Sequence, residues 1–282
     1  MEVSMKHIYL NLKRFDVPVE YGGVNRLAPI KDWGAAVVCC TQETLKKYDR
    51  EKVEFVQYLP EAHLLNAVAS LTEGSPVQIG SQGVYRVDTA VGGNFGALTT
   101  NRPASVVKAM GCTSTIIGHC EERNDKKGVL AEAGVTDMAA VDRLLNQEVL
   151  CAQKAGLTVL FCIGETSEEQ ENWQEVLGRQ LDVGLKGADL GNVVIGYEPV
   201  WSIGPGKTPA DKPYIEKIAR FVKERTGGAD VVYGGGLKSD NAAMLASIDD
   251  IDGGLIALTR FSGEIGFYPE EYLEIIRLYL GE

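Results

Sequence analysis

The chain has little that would take it to a membrane or a nucleic acid. Its apolar run Ala35-Ala36-Val37-Val38-Cys39-Cys40 falls far short of the ~20 residues a spanning helix needs. The opening segment MEVSMKHIYLNLKRF has no apolar core of the secretory kind. Positive charge is in deficit: 28 Lys and Arg against 39 Asp and Glu leave a net charge of −11, which repels nucleic-acid phosphates and anionic lipid. Six cysteines, at 39, 40, 112, 120, 151 and 162, show no CxxC spacing, and the three histidines are scattered, so neither a disulfide framework nor a metal cluster is expected. A reduced, soluble, cytoplasmic protein follows as the expectation. A phosphate-bearing ligand would need a local site that overcomes the overall field.

What is present is ordinary globular composition, with 45% hydrophobic and 24% charged residues in 282. Short apolar runs alternate with helical periodicity almost from end to end. The expected strands are His7–Leu10, Ala35–Cys39, Val77–Gly80, Ser114–Ile117, Thr158–Ile163, Val193–Tyr197, Val231–Tyr233 and Leu255–Leu258. Continuous apolar runs suit parallel strands covered on both faces. Apolar spacing of three and four residues predicts helices over Ala139–Ala155, Glu168–Leu185 and Tyr214–Arg225. Eight such units predict an α/β fold, a single (β/α)8 barrel domain spanning 1–282. The long segment Ser81–Pro103 follows the third strand. It reads as a surface loop or as one serving the catalytic face or an interface.

Chemistry-bearing residues gather at strand ends. Glu198 closes an apolar strand, and Pro199 keeps it out of helical geometry. Val200–Thr208 then has stiff ends, glycines and an apolar centre at Ile203, as a mobile lid requires; the pattern equally fits an exposed strand-end glutamate before a turn. Gly206-Lys207-Thr208 is no nucleotide P-loop, because Trp201 stands where that motif needs glycine. His119 lies where the fourth strand meets a polar, helix-favouring segment, and a helix N-terminus favours the neutral imidazole. A structural histidine fits the same place. Asn11-Leu12-Lys13 follows the first strand, where a solvated lysine is the simpler reading. Gly234-Gly235-Gly236 follows the seventh and suits either a flexible turn or an anion held on backbone N–H groups.

Taken in order, these motifs resemble the triosephosphate isomerase family over nearly the whole chain. The matching segments are Asn11-Leu12-Lys13, Gly118-His119-Cys120-Glu121, Cys162-Ile163-Gly164-Glu165-Thr166, the run Tyr197–Thr208, and Tyr233-Gly234-Gly235. The resemblance implies an aldose–ketose isomerase of triose phosphates in glycolysis and gluconeogenesis. Glu198 would be the base, His119 the proton-shuttling electrophile, and Lys13 the fixed positive charge, helped by Asn11. Glu121 would stand beside Lys13. The substrate would be a small phosphorylated sugar gripped by Gly204, Gly235, Gly236 and the backbone at Leu258; Arg260 reads either as an added phosphate ligand or as a surface arginine. No metal or organic cofactor is implied, and a homodimer would form through Ser81–Pro103.

Three departures accompany the match. Where the family has Gly-Gly after the eighth strand, this chain has Ala257-Leu258-Thr259-Arg260. The loop Gln82–Thr99 is longer than expected by about six residues. Glu122 replaces an arginine after the catalytic histidine. Retained catalytic positions with an altered periphery also suit an isomerase of a four-carbon ketose phosphate such as erythrulose phosphate. A catalytically silent binding barrel would be expected to lack the base or the lid, and both are present.

Overall fold

The computed structural model describes residues 4–203 and 207–282. Eight parallel strands close on themselves: β1 Lys6–Asn11, β2 Val53–Leu59, β3 Val77–Ser81, β4 Ser114–Ile117, β5 Thr158–Ile163, β6 Val193–Tyr197, β7 Val231–Tyr233 and β8 Gly253–Ile256. β1 pairs with both β2 and β8, which removes every sheet edge. The helices, in chain order, are α1 Trp33–Leu45, α2 Glu61–Ala69, α3 Ala104–Ala109, α4 Cys120–Glu132 and α5 Met138–Lys154, then α6 Trp173–Gly184, α7 Lys212–Thr226, α8 Ala242–Ala246 and α9 Pro269–Leu280.

Alternation along each strand divides the core in two. Tyr9, Val56, Tyr58, Ile116, Leu160, Cys162, Val232 and Leu255 fill the barrel interior as one cluster. Ile8, Leu10, Phe55, Phe161 and Ile195 belong to the larger cluster, which includes α1 residues such as Trp33 and Val37. Each such fully buried side chain contributes roughly 1.5–3 kcal/mol. No helix among the described residues is long and apolar enough to cross a membrane.

The expected strands β4 to β7 coincide with the observed ones, whereas the second does not. Ala35–Cys39 lies inside α1: Val37 and Val38 are buried while Cys39 and Cys40 are exposed, and the next buried pair is Thr41 and Gln42. That four-residue rhythm is helical, and the apolar composition concealed it. The true second strand, Val53–Leu59, is interrupted in sequence by Glu54 and Gln57. Both have specific partners, His7 for Glu54 and Thr41 for Gln57. β8 begins earlier than expected: Gly253 and Gly254 pair with His7 and Ile8 of β1. Leu258 therefore falls beyond the strand. The expected helix 168–185 resolves into a 3-10 turn, Ser167–Asn172, followed by α6. The segment 82–103 crosses from β3 to α3 without regular structure, and Val91 and Phe95 are exposed on it.

Candidate active site

The C-terminal ends of β1, β4 and β6 bring Asn11, His119 and Glu198 to one end of the barrel. His119 caps α4 in extended conformation, and its Nδ1 accepts the Glu121 backbone N–H at 3.2 Å. A nitrogen accepting an N–H bears no proton, so the neutral ring carries its hydrogen on Nε2. That Nε2 lies 3.0 Å from Glu198 Oε1. The other carboxylate oxygen of Glu198 accepts the Cys120 N–H at 2.9 Å. Glu198 is buried, and burial pushes its carboxyl above the ordinary range, against the pull of His119, the Cys120 amide and Lys13. A carboxylate so placed is a stronger base at neutral pH.

Lys13 follows at the edge of the same end. Its Nζ sits 2.7 Å from Glu121 Oε1, the partner expected from the sequence. Its backbone has φ of 41°, a left-handed conformation that costs a non-glycine residue about 1 kcal/mol or more. Two contacts hold it there. Asn11 Oδ1 accepts the Lys13 N–H at 3.1 Å, and Gln82 Nε2 donates to Lys13 O at 3.0 Å and Tyr58 O at 3.2 Å. Asn11, Lys13, Gln82, His119, Glu121 and Glu122 line a cavity of about 180 Å3. Glu198 is not part of that lining and meets it through His119, 3.0 Å away.

Gly234 follows β7 and packs directly on the base. A Cβ there would lie 2.7 Å from Glu198 Cγ and 2.9 Å from Tyr197 O. Gly235 and Gly236 continue the turn, and Asn241 ties it by donating to Gly236 O at 2.9 Å. Leu258 is partly buried in the loop after β8. Arg260 is engaged elsewhere: its guanidinium pairs with Glu271 and its Cζ stacks 3.6 Å from the Tyr268 ring centroid. Gly204 lies outside the described residues.

The residues after β6, Val200–Ser202, are anchored by a carboxylate whose role has no local sequence signal. Glu165 Oε1 accepts from Trp201 Nε1 at 2.8 Å, Tyr197 OH at 2.9 Å and Tyr214 OH at 3.0 Å. Glu165 lies in the Cys162–Thr166 segment and Gln82 opens the loop after β3. Their partners lie tens of residues away, and only the closed barrel brings them together. The structure also gathers a donor trio that spacing did not suggest. His119, Cys120 and Glu198 bring ligand-type atoms within 4.8 Å of one another. Burial, with the charge of Glu198, pushes the Cys120 thiol up to about 12, so it stays protonated.

A larger cavity, about 620 Å3, opens at the opposite, N-terminal end of the strands, with His7, Tyr9, Glu54 and Asp230 in its wall. These polar groups satisfy one another. The cavity that His119 and Lys13 line, at the C-terminal end, is the smaller of the two.

The family model described as triosephosphate isomerase matches residues 33–277. The chain belongs to the triosephosphate isomerase family. It is accordingly an isomerase of that type. It is 36% identical over 214 residues to the triosephosphate isomerase of Pseudomonas putida (strain W619), covering 71% of this chain and 78% of that one. With the Alkalilimnicola ehrlichii triosephosphate isomerase it shares 32% identity over 263 residues, 89% of this chain and 92% of the other. The solved triosephosphate isomerase from Bartonella henselae superposes with a TM-score of 0.71, covering 98% of this chain and 99% of that chain at 24% identity, a likeness of fold.

Proposed function

We propose that the chain interconverts dihydroxyacetone phosphate and glyceraldehyde 3-phosphate through an enediolate, acting as one domain in the cytoplasm. The observation that carries this reading is the buried Glu198–His119 pair, 3.0 Å apart, beside the Lys13–Glu121 pair. Glu198 removes a proton from the carbon next to the carbonyl and returns it to the neighbouring carbon. His119, with its proton on Nε2, donates to the carbonyl oxygen and passes protons between the two oxygens. The Lys13 ammonium offsets the enediolate charge in a site screened from bulk water. Asn11 keeps the lysine backbone in place.

Closure of Val200–Thr208 over the ligand would exclude water from the base and the substrate. The phosphate would rest on backbone N–H groups of Gly204, Gly235, Gly236 and Leu258. Arg260 would join them only on parting from Glu271.

The altered loops after the third and eighth strands support a second reading, a four-carbon ketose phosphate on the same machinery. Turnover compared on dihydroxyacetone phosphate and erythrulose phosphate decides. Negligible triose activity with brisk tetrulose activity would overturn the first reading, and inactivity on both would overturn the catalytic assignment. We also infer a homodimer through Ser81–Pro103, supported by exposed Val91 and Phe95. Sedimentation showing a monomer at micromolar concentration would refute it.

A further inference from the structure

Glu122, the glutamate that stands where the family has arginine, lies against a buried partner carboxylate that the proposed reaction does not use. Its Oε2 accepts the Gly118 N–H at 2.6 Å, and Lys126 Nζ lies 2.8 Å from its other oxygen. The same ammonium reaches Glu148 Oε1 on α5 at 2.9 Å. Glu148 is 3% exposed, and its Oε2 has no hydrogen-bond donor among the described residues. Glu122 Oε1 and Glu148 Oε1 thus face one Lys126 ammonium at 2.8 and 2.9 Å, an arrangement of two carboxylates on a single cation that favours one of them keeping its proton.

Gly118 is the residue before His119. Its φ of 81° suits glycine, and a Cβ would meet Cys162 O at 2.8 Å. Both ends of the Gly118 residue are gripped from α4. Glu122 takes its N–H, while Arg123 donates to its C=O at 2.8 Å and is itself held by Asp142 at 2.7 Å. The turn that aims the imidazole is thus tied through α4 to α5.

We propose that Glu122 and Glu148 share a single proton and act as a positioning pair, clamping the Gly118 amide so that His119 is aimed at the substrate oxygen. Burial and the charge of Glu122 push the Glu148 carboxyl up to about 9, so it holds the proton at neutral pH. Burial also opposes ionisation of Glu122, but the hydrogen bond from Glu148, Lys126 and the Gly118 amide hold it below the usual range. The other titratable groups facing the pair are Lys126, Cys151 on α5 and Cys162 on β5. Above about pH 9 Glu148 ionises, and the repulsion loosens the grip on Gly118.

This inference rests on His119 as the oxygen-facing acid, so its test carries a readout independent of turnover. E122A is expected to lower kcat about tenfold with KM within twofold, as for about 1.4 kcal/mol of lost orientation. E122Q, whose amide oxygen still accepts the Gly118 N–H, should recover most of that loss. In E148Q the fall of wild-type kcat near pH 9 should move up by a pH unit or more. The His119 ring-nitrogen NMR signals should shift in E122A and stay in place in E122Q, whatever the substrate. Superimposable pH profiles for wild type and E148Q, or unmoved His119 signals in E122A, would overturn the proposal. Should E122A fail to fold, the E148Q profile decides alone. Shifted His119 signals with no turnover on any sugar phosphate would instead count against the function and leave the clamp standing.

Discussion

At the N-terminal mouth of the barrel, His7 makes stability depend on pH. The side chain is almost fully buried, with Nδ1 2.8 Å from Glu54 Oε2 and Nε2 2.9 Å from Asp230 Oδ2. Burial alone lowers an imidazole's affinity for its proton. Here the hydrogen bonds and charges of Asp230 and Glu54 outweigh it and raise the pKa from 6.5 to about 9. At about 1.4 kcal/mol per unit, that rise corresponds to roughly 3 kcal/mol. Asp230 is more than a third exposed, so screening reduces the expected effect to about 2 kcal/mol.

The folded pKa lies above the unfolded one. The stabilisation is therefore complete below about pH 6.5 and is lost as pH rises through about 9. Glu54 and Asp230 are held below the ordinary carboxylate range and stay ionised throughout this window. Urea unfolding at pH 6 and pH 9.5, followed by circular dichroism, should show wild type losing about 2 kcal/mol more than His7→Gln between the two. Glu148 also titrates in this range, but it does so in both proteins and cancels in the comparison. Parallel losses in the two proteins would refute the reasoning.

Three further outcomes are expected. Glu198→Asp withdraws the carboxylate by one methylene from His119 Nε2 and the Cys120 amide, so kcat should fall about 100-fold or more with the fold unchanged by circular dichroism. A kcat within tenfold of wild type would contradict its role as the base. Gly234→Ala places a methyl 2.7 Å from Glu198 Cγ, so steady-state kinetics should show kcat falling more than KM rises. Trp201→Phe removes the 2.8 Å bond to Glu165, loosening the lid's first turn by about 1 kcal/mol and lowering kcat/KM several-fold in the same assay.

Much of this architecture was legible because its signals are local. β5 and β6 are uninterrupted apolar runs, and a parallel strand buried on both faces leaves that mark. β2 was not legible, since Glu54 and Gln57 are polar for the sake of partners on β1 and α1. Ala35–Cys39 was misread for the converse reason: its apolar density overrode a helical rhythm that only the alternation of buried and exposed pairs reveals. The site followed the same rule. Glu198, His119 and Lys13 stand at strand ends with recognisable neighbours. Gln82 and Glu165 work through contacts 69 and 36 residues distant in sequence, for which no spacing rule exists. Arg260 looked free to meet an anion, but Glu271, a helical residue on α9, holds it.

The end of β8 at Ile256 has a consequence for how such an enzyme changes its diet. Ala257 to Arg260 carry no rung of the barrel's parallel ladder, so that stretch can be rewritten without unpicking a strand. Glu198 and His119 flank strand ends whose registers lock the neighbouring staves, and they cannot move without the frame. On the proposed function, the residues that grip the sugar and those that move its proton would stand on separate parts of the same wall, so the first could change while the second stay.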